Sequence, residues 1–67
     1  EELLIFYNNI VYPIEIKKNY NPGKESIKNF NITQKFGVNV GNGMVICLTK
    51  DLFPLDKNNF LMPIELL

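Results

Sequence analysis

The stretch "LLIFYNNIVYPIEIKKNY", residues 3–20, decides how this chain is read. Two runs rich in β-branched and aromatic residues flank Asn8-Asn9, and such runs favour extended backbone. Asparagine tolerates positive φ, so Asn8-Asn9 can form the two-residue type I′ turn of a β-hairpin. A hairpin over residues 2–7 and 10–18 then sets Tyr7 opposite Ile10, Ile5 opposite Tyr12, Leu3 opposite Ile14, and Glu2 opposite Glu15. Opposed residues share a face of the sheet. One face carries Leu3, Ile5, Tyr7, Ile10, Tyr12, Ile14 and Ile16. The other carries Glu2, Leu4, Phe6, Val11, Pro13, Glu15 and Lys17. Both are apolar near the turn, which predicts cover on both sides there. Only the second turns polar at its far end.

Pro13 tests the register, because it has no amide to give to a ladder. Pairs alternate outward from the hydrogen-bonded Tyr7–Ile10 pair, which makes Leu4–Pro13 a non-hydrogen-bonded pair. The missing donor then points away from the first strand. A third strand should pair mainly beyond it, along Ile14–Lys18.

Downstream, "NYNPGKES" reads as a loop entering a helix over about residues 22–35, with Asn21 as N-cap and Pro22 at the first helical position. Ile27 and Phe30 supply its apolar stripe and Gly37 its stop. Asn29, Asn31 and Thr33 are poor helix formers, so a break near Asn31 is expected. "GVNVGNG" is turn-rich and leads into "GMVICLT", an uninterrupted apolar run of the kind found in buried strands. "KDLFPLDKNN" reads as a loop with at most a short helical turn. "FLMPIEL" is a last strand, whose Pro63 argues for an edge or a bulge. The expected fold class is α/β: a small mixed sheet in the order β-β-α-β-β, the hairpin followed by a right-handed β-α-β crossover. The second and third strands should lie side by side and parallel, with the helix on one face. The opposite face has no cover of its own, which predicts self-association or docking against the remainder of a parent chain.

The bulk numbers agree with one small domain, residues 1–67. A chain this short buries only about 60% of its unfolded surface. It opens inside a strand, which suggests a C-terminal piece of a larger protein. The composition, 46% hydrophobic and 21% charged, is globular. Seven lysines balance seven acidic residues, so overall charge gives no case for nucleic-acid binding. The absence of histidine excludes imidazole catalysis and His-metal sites. The single cysteine, Cys47, excludes an intrachain disulfide and a Cys-cluster zinc site. Within "MVICL" it reads as a buried, inert thiol of a cytoplasmic protein. No apolar run approaches membrane-spanning length, and no basic and apolar leader opens the chain.

Chemistry concentrates at the polar end of the hairpin. Glu2 and Glu15 fall in a non-hydrogen-bonded pair, where Cα atoms approach to about 4.5 Å. Like charges so placed repel unless something compensates: a divalent cation, Lys17, or water. Two carboxylates and a main-chain carbonyl are hard oxygen donors of the kind Mg²⁺ takes. Lys17, on the same face, could orient a water or stabilise an oxyanion at a phosphoryl centre. A solvated polar end of a hairpin accounts for the same residues with nothing added. Lys17, Lys18, Lys24 and Lys28 with Tyr20 could likewise form a nucleic-acid surface or simply a solvated face. Asp51 and Asp56 lack the spacing of a calcium loop and read as turn residues.

The ensemble "LLIFYNNIVYPIEIKK…SIKNF…VICL…FPLDKNNFLMPIELL" resembles the C-terminal end of a large prokaryotic family of predicted AAA+ ATPases, which carry there a nuclease-like domain of unknown function. It is also similar to the core of the PD-(D/E)XK nuclease-like fold, so the resemblance implies a partial core of that type. It further implies Mg²⁺ held by Glu2, Glu15 and the Ile16 carbonyl, with Glu15 and Lys17 in catalytic roles and DNA as a partner. Glu2 stands where that pattern usually has Asp, and the pattern's first helix and first strand have no counterpart here. "GVNVGNG" lacks the Lys-Ser/Thr of a phosphate loop, so ATP hydrolysis is not expected of this chain. Any ATPase or nuclease activity would belong to the intact parent. Three functional expectations follow. The intact domain binds Mg²⁺ and acts on or binds DNA, or the same fold serves as a non-enzymatic regulatory or interaction module, or the piece is a folding unit stabilised by self-association with no activity of its own.

Overall fold

Asn8 and Asn9 take φ values of 52° and 63°, the left-handed pair that a type I′ turn demands. They set the rest of the fold. The computed structural model describes residues 1–31 and 36–67. β1 (Glu2–Tyr7) and β2 (Ile10–Ile16) pair antiparallel in the expected register, from Tyr7↔Ile10 to Glu2↔Glu15. The ladder runs one pair further. Ile16 N–H donates to the Glu1 carbonyl at 2.7 Å, and the Glu1 nitrogen donates to the Ile16 carbonyl at 3.1 Å. That exchange makes Glu1–Ile16 a hydrogen-bonded pair, and alternation from it leaves Leu4–Pro13 non-hydrogen-bonded.

The nitrogen of Pro13 therefore faces the other neighbour, and the chain there is built around it. β3 (Asn39–Val40) pairs parallel with Ile10 and Val11, while β4 (Gly43–Cys47) pairs parallel with Ile14–Ile16. The offset between partners is 29 residues at Ile10↔Asn39 and 30 at Ile14↔Met44, so one residue is inserted between them. Tyr12 and Pro13 face three residues, Gly41, Asn42 and Gly43, in a bulge opposite the missing donor. Gly41 N–H reaches the Val11 carbonyl at 2.8 Å below it, and Lys17 N–H the Ile46 carbonyl at 3.0 Å above it. A Cβ on Gly41 would come within 2.5 Å of the Tyr12 ring, so the bulge requires glycine there.

β6 (Asn59–Pro63) lies parallel to β4, and β5 (Phe53–Pro54) antiparallel to β6. The sheet order is β1-β2-β4-β6-β5, with β3 beside β2. Two of the six strands, β3 and β5, fall in segments whose sequence reads as turn or loop. β5 pairs only with Phe60 and Leu61, which leaves Met62 and Pro63 with a free side. That is where a proline without a donor is tolerated.

The expected helix is the main correction. This is a mixed β-sheet with no α-helix among the described residues, not an α/β β-β-α-β-β fold with a helical crossover, and it does not supply a partial PD-(D/E)XK nuclease-like core. β2 and β4 are adjacent and parallel as expected, but β2 is followed by the 3-10 turn Lys24–Ile27 in place of the first part of the helix. Residues 32–35 of the expected helix lie outside the described residues. The local reason is visible in the hydrogen bonds. Gly23, not Asn21, opens the turn, with φ −98° and ψ −166° and no side-chain cap. Ser26 N–H then bonds to the Gly23 carbonyl and Phe30 N–H to the Ile27 carbonyl, both at 3.0 Å. These i→i−3 bonds give three residues per turn, which eclipses Ile27 and Phe30 on one side.

That side meets the sheet. Phe30, Val45, Cys47 and Leu61 form the buried core, with Ile27 and Leu55 packed against it. Gly43 is its floor, since a Cβ there would lie 2.5 Å from the Phe30 ring and 2.6 Å from Asn59 Oδ1. The opposite face is open. Near the turn the cover expected on both sides of the hairpin reaches β2, where Val11 is fully buried, but not β1, where Phe6 and Tyr7 are 67% and 66% exposed. No helix among the described residues is long and apolar enough to cross a membrane.

Candidate functional site

The strand register brings the sequence-predicted residues together. Glu2 pairs with Glu15, and Glu15 with Val45, so both carboxylates lie on the packed face, at its hairpin end. Alternation puts Lys17 on that face too, where β2 ends and the crossover begins. Glu2 and Lys17 are exposed and Glu15 is half-buried. Glu15 Oε2 accepts from the Glu1 amino nitrogen at 2.8 Å, and the Ile16 carbonyl accepts from the same nitrogen at 3.1 Å. Two of the three oxygens assigned to Mg²⁺ therefore accept from one main-chain nitrogen. The Ile16 carbonyl belongs to the β1–β2 ladder, so a metal ion taking it would displace a ladder donor. No cluster of three or more His, Cys, Asp or Glu gathers among the described residues.

Glu25 was not singled out from the sequence, yet it stands within electrostatic reach of Lys17 and Lys28. Its carboxyl is held below its ordinary value, first by a hydrogen bond from its own backbone and then by one from Gly23, with the two lysines adding to the effect. Gly23 N–H reaches Glu25 Oε1 at 3.1 Å. A carboxylate two residues beyond a glycine is the local signal for that turn. Lys24 likewise lies within reach of Asp56. Three of the four lysines considered for a nucleic-acid surface thus have an acidic neighbour, and Tyr20 stands 76% exposed on the same loop.

The opposite face holds a groove of about 390 Å³ lined by Ile5, Tyr12, Pro13, Ile14, Met44 and Phe60, with Asn42 at one side. Its walls come from β1, β2, β4 and β6, and the bulge at Asn42 forms one end. Its lining is apolar apart from the Tyr12 hydroxyl and Asn42, so it can take up apolar surface.

A family model described as "Domain of unknown function (DUF4143)" matches residues 3–67. The chain belongs to the DUF4143 family. That match takes in the hairpin, the bulge and both sheet faces, and its description names neither a nuclease nor an ATPase. No curated protein and no solved structure matches the chain.

A second, polar cleft of about 160 Å³ in this DUF4143 chain lies where β4 and β6 begin, between Asn31, Asn42, Asp56, Asn58 and Asn59. Its polar groups hold the structure together. Asp56 Oδ1 accepts from the backbone N–H of Asn58 and Asn59 at 2.9 and 2.8 Å, and the Asn59 side chain donates to both carboxylate oxygens. Asn59 Oδ1 in turn accepts from Gly43 N–H at 3.0 Å. These bonds hold Asp56 below its ordinary value, the Asn58 backbone N–H contributing most. The turn expected at Asp56 from the sequence is therefore a clamp that ties the β5–β6 turn to the floor of the core.

Proposed function

We propose that this DUF4143 chain is a docking module of an ATPase-family parent protein, seated against the remainder of that protein through its open sheet face. One observation carries the reading. β1 is exposed along its whole length, and beside it Ile5, Tyr12, Ile14, Met44 and Phe60 line an apolar groove in which Ile5 is exposed, Tyr12, Met44 and Phe60 are half-buried and only Ile14 is buried. Apolar patches of this extent on a small domain mark interaction surfaces. The likeness of the sequence to ATPase C-termini supplies the partner. Titrating the isotope-labelled chain with the ATPase-bearing part of the parent should move the amide signals of Ile5, Tyr12, Ile14, Met44 and Phe60. Signals that stay put, or that move only around Glu25 and Asp56, would count against docking by this face.

A second reading is favoured by the register that sets Glu2 beside Glu15, with the Ile16 carbonyl next along β2. Glu2, Glu15 and the Ile16 carbonyl would hold Mg²⁺, and Lys17 would face a phosphate of bound DNA in the intact parent. Adding Mg²⁺ should then shift Glu2, Glu15, Ile16 and Lys17 together, and Glu15→Gln should abolish those shifts. An unchanged spectrum at millimolar Mg²⁺ removes this reading and leaves docking untouched.

A further inference from the structure

We infer that β1 is a self-pairing edge, and that two copies of the chain join β1 to β1, antiparallel, about a two-fold axis at Leu4. This goes beyond docking on the open face, because it uses the backbone of the sheet's outer edge.

Ladder parity decides which backbone groups of β1 are free. The Glu1–Ile16 pair exchanges both of its hydrogen bonds, so Glu1, Leu3, Ile5 and Tyr7 turn their N–H and C=O groups toward β2. Those of Glu2, Leu4 and Phe6 point outward, where β1 is the edge of the sheet formed by the described residues. Edges left open in this way are usually protected by lysine, proline, a bulge or short length. "ELLIFY" has none of these over its six residues.

The other edge is closed to such pairing. β5 is two residues long and one of them is Pro54. A second copy therefore cannot add β1 to β5, and head-to-tail growth is blocked. What remains is the isologous arrangement, which closes at two copies.

Parity and charge then fix the register. Outward-facing residues must meet outward-facing residues, so Leu4 of one copy lies opposite Leu4 of the other, with Glu2 opposite Phe6 on either side. This register matches the strand over its full length. It also sets the acidic end of each strand against the aromatic end of the other. A parallel alignment would bring the two acidic ends together, which is destabilising.

The test combines sedimentation with amide hydrogen exchange from micromolar to millimolar concentration. The expected result is a monomer–dimer equilibrium. Leu3, Ile5 and Tyr7 amides should be protected throughout, and Leu4 and Phe6 amides only where the dimer is populated. Leu4→Pro deletes an outward donor and spares the bonds to β2, while Leu4→Lys sets like charges face to face on the axis. Each should raise the dimer dissociation constant at least tenfold, with Leu3 and Ile5 protection reporting that the hairpin still forms. A monomer at millimolar concentration overturns the inference. So does a dimer in which the Leu4 and Phe6 amides exchange freely, or one that Leu4→Lys leaves intact. None of these outcomes bears on the titration that tests docking by the open face.

Discussion

Gly43→Ala should be among the more damaging single-methyl changes in this protein, and Phe30→Leu should partly repair it. The new Cβ would sit 2.5 Å from Phe30 Cδ2 and 2.6 Å from Asn59 Oδ1, so both must retreat. Overpacking of this kind costs about 1–3 kcal/mol. Losing the 3.0 Å bond from Gly43 N–H to Asn59 Oδ1 adds about 1 kcal/mol. The lower backbone entropy of alanine in the unfolded chain returns about 0.4–1 kcal/mol. The net loss is then roughly 1–3 kcal/mol. A domain of this size holds only about 3–10 kcal/mol in all. With a urea slope of about 1 kcal/mol per molar, the midpoint should fall by about 1–3 M. Phe30→Leu alone should cost about 1–2 kcal/mol as a large-to-small core change. In the double variant the ring edge that meets the new methyl is gone, so the combined loss should fall short of the sum by at least about 1 kcal/mol. Urea unfolding followed by circular dichroism, with a stabilising osmolyte present if the variants are marginal, measures all four corners of the cycle. Losses that add to within about 0.5 kcal/mol would refute the contact between Phe30 and Gly43 as the limit on packing here.

Two further outcomes follow from the same geometry. Asp56 and Glu25 are both held below their ordinary values of 3.8 and 4.5, so between folded and ordinary values the unfolded chain binds more protons. Their contribution is therefore complete above those ordinary values and is lost as pH falls through the lowered folded ones. The urea midpoint should drop in that acid window and do so less steeply in Asp56→Asn; a midpoint flat through the window would contradict the clamp. Cys47 is 2% exposed in the core, so a thiol reagent should label it only as fast as the domain unfolds. Rapid labelling under native conditions would mean that the packing of Phe30 over β4 is looser than described.

The parts of the fold legible in the sequence were those governed by a two-residue period and a single exceptional residue. Asn8-Asn9 fixed the turn, the turn fixed the register, and Pro13 fixed where along β2 the pairing with a third strand must be interrupted. The Glu2–Glu15 pairing and the place of Lys17 came with that register. The crossover was not legible, because Ile27 and Phe30 suit three residues per turn as well as 3.6, and spacing alone does not choose between them. β3 and β5 were missed because two-residue strands rich in Asn, Pro or Gly neighbours carry no periodicity at all. Glu25 was missed because its place beside Lys17 depends on the turn that replaced the helix. The bareness of one face was foreseen from the lack of a second covering element, but its extension along all of β1 was not.

The residue inserted opposite Pro13 has a consequence for how this chain tolerates change in length. Upstream of the bulge the side chains alternate in one phase, and downstream in the other. Deleting Asn42 would look like trimming a loop between two glycines. With β3 held in place, it would instead roll β4 over, sending Val45 and Cys47 to the open side and Met44 and Ile46 beneath Phe30. A strand is inverted by the loss of one amide, and the core goes with it.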